Sequence, residues 1–254
     1  MFQHDRIPHK TQFYQRTEVL MLPKRQDAVI YSTLHIHAPQ LRNLLNEKGL
    51  RFFPYVLYAC VKTATLHPVM QRFVMGSRFY THKHLTLSTV MKADKTNEDS
   101  NAFVKLTFDA QCTPQSVQAI LDQAIVSTRK GTSQGANGLM NALSHIPSIV
   151  FTVAVWIAQK LDNLDLLPNA LLDEDPLHTS LIIANLGSIG GEAVHHHLFN
   201  WGTCSIVMTL GTLSEEGHVD IGIAVDERIA EGIGFFKAMD TFKAILEHPH
   251  EHLR

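Results

Sequence analysis

Sixteen histidines in 254 residues are the first place to look for chemistry, because imidazole exchanges a proton near neutral pH and ligates metals. Three are consecutive, His195–His197. They could supply a base or a metal ligand, but neighbours on an extended segment point to opposite faces, so at most two converge with His178. His35/His37 and His82/His84 have the two-residue step that lines one strand face. Neither pair has a carboxylate or cysteine at ligand spacing, so hydrogen-bonded surface histidines are the plainer reading and no metal is expected. The terminal HPHEH reads as a frayed tail. Cys60, Cys112 and Cys204 are odd in number and far apart, which suits a reducing compartment rather than a disulfide framework. The chain carries no Walker loop, GxSxG elbow or HExxH helix. NLGSIGG, residues 185–191, is glycine-rich after a strand, but its spacing is not that of a dinucleotide loop.

The elements that must position these groups alternate in type. Asp27–His37 is β-branched and alternating, and a helix over Pro39–Lys48 stops at Gly49. Pro54 opens a helix closed by Pro68, and Gly76-Ser77 between Arg72–Val74 and Arg78–Thr81 predicts a two-residue hairpin. Strands follow at Leu85–Met91 and Ala102–Phe108. Thr113 caps a helix whose apolar face holds Val117, Ile120, Leu121, Ala124 and Ile125. A helix over Pro147–Leu161 precedes strands at Ser180–Asn185, Cys204–Leu210 and Val219–Val225. An amphipathic helix over Phe235–Glu247 ends the pattern, with Phe235, Met239, Phe242 and Leu246 on its apolar face. Polar loops are expected at Asp94–Ser100 and Gly131–Gly138. This is an α/β pattern with a mixed sheet: an N-terminal segment, 1–26, packs on one domain, 27–254.

Composition narrows the function classes. The chain is 45 % hydrophobic and 18 % charged, with a net charge of −2. That is an ordinary globular balance and excludes a disordered chain or a nucleic-acid binder working through a basic face. The N-terminus has no signal core. The longest apolar run, Ile146–Ala158, falls short of the ~20 residues a membrane crossing needs, so a cytoplasmic protein is expected. That run lacks a lysine-rich polar face, which favours burial in the core or at a subunit contact over a membrane surface.

The C-terminal third carries a resemblance. SLIIANLGSIGG, then SIVMTLGTL, then HVDIGIAVDERIAEG leading into a helix is similar to the catalytic domain of the 2-oxoacid dehydrogenase acyltransferases (the E2 components) and to chloramphenicol acetyltransferase. Phe52-Phe53-Pro54 opening a helix that closes at His67-Pro68 extends the likeness, which runs from about Asp27 to the C-terminus with gaps. The chain resembles still more a group of free-standing bacterial acyltransferase-like proteins with DERI in this place, sharing Leu166–Pro168, His178–Leu181 and His196–Leu198.

The resemblance implies a two-layer chloramphenicol acetyltransferase-like sandwich, a homotrimer, and a channel between subunits where a CoA or lipoyl thiol attacks an acyl carbonyl. No lipoyl domain is expected ahead of it. In that family a histidine is the general base; the matching position is Glu227. The hydroxyl that donates to the oxyanion is matched by Ala184, and the closing Asp-Gly pair by Glu231-Gly232, the glycine serving a tight turn. A carboxylate of ordinary pKa ~4.3 is a poor base for a thiol near ~8.5, so glutamate in this role demands burial. A lost oxyanion donor costs about 2.7–4 kcal/mol. Thr179 or Ser180 is a candidate replacement hydroxyl, and His178 joins Glu227, Glu231 and Thr179 as a candidate catalytic residue. Asn185, Gly187, Arg228, His196 and His197 are expected along the turn and channel, with Arg16 or Arg25 bracing Glu231. The alternative is a homologue that keeps the trimer and binds acyl-CoA without turning it over.

Overall fold

The computed structural model describes residues 5–92, 101–129, 147–229 and 232–253. The two expected polar loops and Glu231 fall outside them.

A six-stranded mixed sheet is the centre of the molecule, in the order β2-β9-β8-β7-β5-β6. Its strands are β2 (Val29–His37), β5 (Leu85–Lys92), β6 (Asn101–Phe108), β7 (Leu181–Asn185), β8 (Ile206–Leu210) and β9 (His218–Asp226). β7 runs parallel to β5 and β8, and the other pairings are antiparallel. Strand period two sorts the side chains. Leu87, Leu106, Ile183, Met208, Ile223 and Val225 turn to one face and form the main core with three helices. These are α3 (Phe52–Leu66), α4 (Pro114–Arg129) and α7 (Gly232–Glu247). The Tyr55 hydroxyl donates to Ile245 O at 2.9 Å and ties α3 to α7. The four residues expected on the α7 apolar face are all buried.

On the opposite face Ile182, Val207 and Ala224 pack with Leu198 and Cys204 in a smaller cluster. Gly222 is required there. A Cβ would stand 2.3 Å from Val194 O, where the segment before His195 crosses the sheet. Toward β5 and β6 this face turns polar. Thr86 and Ser88 of β5 stand directly opposite Thr107 and Lys105 of β6.

The N-terminal segment makes more structure than expected. β1 (Arg6–Pro8) pairs with β4 (Arg78–His82), which forms a hairpin with β3 (Arg72–Met75). The hairpin turn is the one predicted, with Gly76 at φ 52° and Ser77 at φ 66°, both in the left-handed region a two-residue turn demands. α1 (Phe13–Met21) follows β1, and the short α2 (Leu41–Glu47) follows β2. The cap of α4 also follows the sequence: Ser116 N–H donates to Thr113 Oγ1 at 3.2 Å, and Thr113 N–H to Ser116 Oγ at 2.8 Å.

The apolar helix α5 (Ser148–Asn163) rules out one of the two burials expected for it, the core. It is not part of this chain's core, since Ile149 and Trp156 keep 80 % and 58 % of their surface exposed. After the short α6 (Asn169–Glu174) the chain enters β7, and α8 (Pro249–His252) closes the described residues. No helix among the described residues is long and apolar enough to cross a membrane.

Candidate functional site

At the C-terminal end of β7 the chain leaves Ala184 for the Asn185-Leu186-Gly187 turn. The Asn185 carboxamide oxygen accepts from Ser188 N–H at 3.2 Å, and Ser188 Oγ donates back to Asn185 O at 2.8 Å. Gly187 is indispensable, because a Cβ would lie 2.4 Å from Gly211 O. Beside the turn lies a cleft of about 440 Å³ whose walls include Arg42, Arg51, Phe53, Asn185 and Ser188. Arg42 donates to Leu213 O at 2.7 Å and Arg51 pairs with Asp122, so the cleft carries two fixed guanidinium groups.

The DERI turn is built on buried charge. Asp226 is completely buried, and Arg228 clasps it with Nε–Oδ1 2.8 Å and Nη2–Oδ2 2.7 Å. Arg25 approaches the same carboxylate at 3.6 Å and donates to Phe199 O and Gly202 O. Burial pushes the Arg25 guanidinium down, and Asp226 opposes that shift. This two-arginine clamp fixes the single 3₁₀ turn Glu227–Ile229 and leaves Glu227 half-buried. Arg25 therefore holds the turn through Asp226; the expected bracing of Glu231 by Arg16 or Arg25 lies outside the described residues. The other candidate brace, Arg16, is exposed and donates to Thr11 Oγ1. Gly232 is not sterically required either: a Cβ there would meet only the Phe236 ring, at 3.9 Å.

Within one chain these two places are far apart. Ala184 is level with Thr209 and Gly222, whereas Asp226 N–H bonds to Ser205 O, beyond the other end of β8. At about 3.3 Å per residue along a strand and 4.8 Å between strands, the separation is on the order of 15 Å.

His178 and Thr179 do not serve either place. The two ring nitrogens of His178 are taken, Nδ1 by Asp175 at 2.9 Å and Nε2 by Asp162 at 3.0 Å. Burial alone would lower its pKa, but the two carboxylates outweigh it and hold His178 above the usual histidine range. Thr179 Oγ1 donates to Thr86 O at 2.9 Å and stands at the end of β7 opposite Ala184, so it does not replace the missing hydroxyl. Ser180 is buried at the same end and faces Thr86.

The histidine triplet does not converge with His178. His195 Nε2 is 3.0 Å from Thr33 Oγ1. His196 and His197 stack at 4.4 Å between ring centroids, against the expectation of opposite faces, because their segment has no strand geometry. His35 pairs with Asp220 at 2.7 Å and His37 stacks on His218; both are exposed. Among the described residues no cluster of three or more His, Cys, Asp or Glu could hold a metal. Cys60 and Cys204 are buried, and burial pushes the Cys204 thiol up to about 12, which removes it as a nucleophile.

No family model matches the chain, and no curated protein matches it. Solved structures do. A probable dihydrolipoamide acetyltransferase from Listeria monocytogenes superposes with TM-score 0.61 at 11 % identity, over 95 % of this chain and 94 % of that one. A truncated catalytic core of the 2-oxoacid dehydrogenase multienzyme complex from Thermoplasma acidophilum gives 0.59 at 12 %, over 96 % and 98 %. A chloramphenicol acetyltransferase gives 0.59 at 8 %, over 95 % and 99 %. The chain has the fold of these acyltransferases. At such identities the likeness speaks for backbone architecture and leaves the chemistry to this chain's own residues.

Three groups escaped the sequence reading. Glu18 of α1 lies beside the DERI turn, and burial together with the charges of Glu227 and Asp226 holds its carboxyl above the usual carboxylate range. Asp226 is the anchor of that turn, and its signal was its place between Arg228 and a strand of apolar residues. Asp5 holds His82, 77 residues away, at 2.5 Å. That corrects the reading of His82 as a surface histidine, since it is buried, and no local pattern could have revealed the pairing.

Proposed function

We propose that this protein transfers an acyl group to or from a thiol carrier of the CoA or lipoyl type, in a channel between the subunits of a homotrimer. Glu227 takes the thiol proton, and the thiolate attacks the acyl carbonyl of the donor thioester. The donor's C–S bond breaks and its departing thiolate takes the proton back from Glu227, while the Asn185–Gly187 turn of a neighbouring copy faces the reacting carbonyl. The observation that carries this reading is the two-arginine clamp on Asp226, which holds Glu227 half-buried on a fixed turn. Arg42 beside the turn, which meets only the backbone carbonyls of Leu213 and Ser214, suits a phosphate of a CoA-type carrier. The separation of Ala184 from Glu227 within one chain supports a site completed by a second copy.

Glu227→Gln should abolish acyl transfer from acetyl-CoA to a thiol acceptor, by roughly a hundredfold or more, while the oligomer seen by light scattering stays intact. Unchanged turnover would eliminate Glu227 as the base. A second reading is favoured by Ala184, which has no hydroxyl, and by Thr179, whose hydroxyl is already committed. It is a binding protein that holds acyl-CoA without turnover. Under it the wild type binds CoA but is inert, and the pair Glu227→His with Ala184→Ser restores transfer.

A further inference from the structure

A second cavity, of about 480 Å³, shares no residue with the cleft at the Asn185–Gly187 turn. It opens on the polar part of the sheet, and its walls include Asp5, His82, Lys105, Asn169, Asp173 and His178. Two of its charged groups are spent. Arg6 donates to Asp162 and Asp165, and His178 uses both nitrogens on Asp162 and Asp175. His82 and Lys105 are not. His82 Nδ1 faces Asp5 Oδ2 at 2.5 Å, so this nitrogen carries the hydrogen and donates to the carboxylate. Nε2 is buried with no hydrogen-bond partner among the described residues. Burial lowers the His82 pKa, Asp5 opposes, and the positive charges of Lys105 and His178 act with burial. The ring is therefore neutral, and Nε2 presents a bare lone pair that asks for a hydrogen-bond donor.

Lys105 donates once, to Leu172 O at 3.0 Å, and makes no ion pair with a described residue within 4.0 Å. Its remaining N–H groups ask for an acceptor, best an anion. One uncommitted cation matches one carboxylate, and Asp5 and Asp173 on the same walls disfavour a dianion such as phosphate. The donor to Nε2 is best a neutral O–H, because Lys105 and His178 would repel a ligand ammonium. Thr86, Thr107 and Thr203 line the same space.

From this geometry we infer that the cavity binds a small hydroxylated monocarboxylate, its carboxylate on Lys105 and a hydroxyl donating to His82 Nε2. Leaving a buried acceptor unpaired is costly, so a ligand that satisfies it gains over its deoxy counterpart.

Calorimetric titration of the full chain with glycerate and gluconate, against propionate and hexanoate, tests this without reference to acyl transfer. Each hydroxy acid should bind about tenfold more tightly than its deoxy counterpart. Lys105→Met should weaken both classes about tenfold, and His82→Phe should erase the preference while leaving the deoxy acids unchanged. In the wild type, gluconate should move the His82 Nε2 nitrogen resonance and hexanoate should not, which settles the matter should either variant fail to fold. Equal affinity within each pair, a preference that survives His82→Phe, or no binding at millimolar concentration would overturn the proposal.

Discussion

His178 and His82 line one cavity, both are buried, and both are gripped by aspartate, yet folding moves their proton affinities in opposite directions. His178 lies between two carboxylates, and Asp162 is itself held by Arg6 while Asp175 accepts from Trp201 Nε1. Every polar atom of that ring is answered, and attraction exceeds the cost of burial. His82 has one carboxylate, from an aspartate whose side chain is 32 % exposed, and two cations nearby, so burial prevails. A closed charge network fixes a wall, whereas an open one leaves an atom for a ligand. The Arg25–Asp226–Arg228 clamp stands between the two kinds: Arg228 and Asp226 answer each other at 2.7–2.8 Å, whereas Arg25 Nε stays 3.6 Å from the carboxylate with no hydrogen-bond partner among the described residues.

The largest expected effect comes from opening the closed network. Asp162→Asn leaves His178 and Arg6 short of a shared carboxylate, and about 3–5 kcal/mol should be lost, read as a lower denaturant midpoint at unchanged slope. A loss under 1 kcal/mol would mean that the network adds nothing beyond its own desolvation.

The proton affinities give a sharper contrast. Folding raises the His178 pKa above 6.5, so its stabilisation is complete below about pH 6.5 and drains away as pH rises through the folded-state value. Folding lowers the His82 pKa below 6.5, so the unfolded chain takes a proton that the folded one refuses, and stability falls as pH drops below about 6.5. The penalty of His178→Gln should therefore shrink on going alkaline, and that of His82→Phe should shrink on going acid. Each tenfold change in proton affinity is about 1.4 kcal/mol. Parallel pH profiles for the two variants would dissolve the contrast.

The smallest effect is expected for Asp5→Asn. Asp5 accepts with two different oxygens, Oδ2 from His82 Nδ1–H and Oδ1 from the exposed His84 amide. The single carboxamide oxygen keeps one of these bonds, so the cost should be about 1 kcal/mol, with His82 less basic by nitrogen resonance titration. A loss as large as that of Asp162→Asn would show that the His82 end is closed as well.

Much of the architecture was legible because it is local. A turn that needs φ > 0 selects Gly76-Ser77, a helix N-terminus selects Thr113, and one face of α7 selects four apolar residues at helical steps. The candidate site was legible only as two short stretches. Their places in the sheet depend on strand order, which is why Thr179 and Ala184, five positions apart on one segment, ended at opposite ends of β7. For α5 the sequence left open burial in the core or at a subunit contact, and the fold excludes the first, because an apolar run announces that something covers it without saying that this chain does.

The chain's own order of residues determined the elements, their faces and the DERI and Asn-Leu-Gly turns, since those follow from periodicity and backbone sterics within a few residues. Tertiary structure alone decided which charges meet. Arg6 finds Asp162 across 156 residues, Arg25 finds Asp226, and His82 finds Asp5. Each pairing arises where packing of apolar faces has excluded water, and there the partner available in space, rather than any neighbour along the chain, decides where a proton resides.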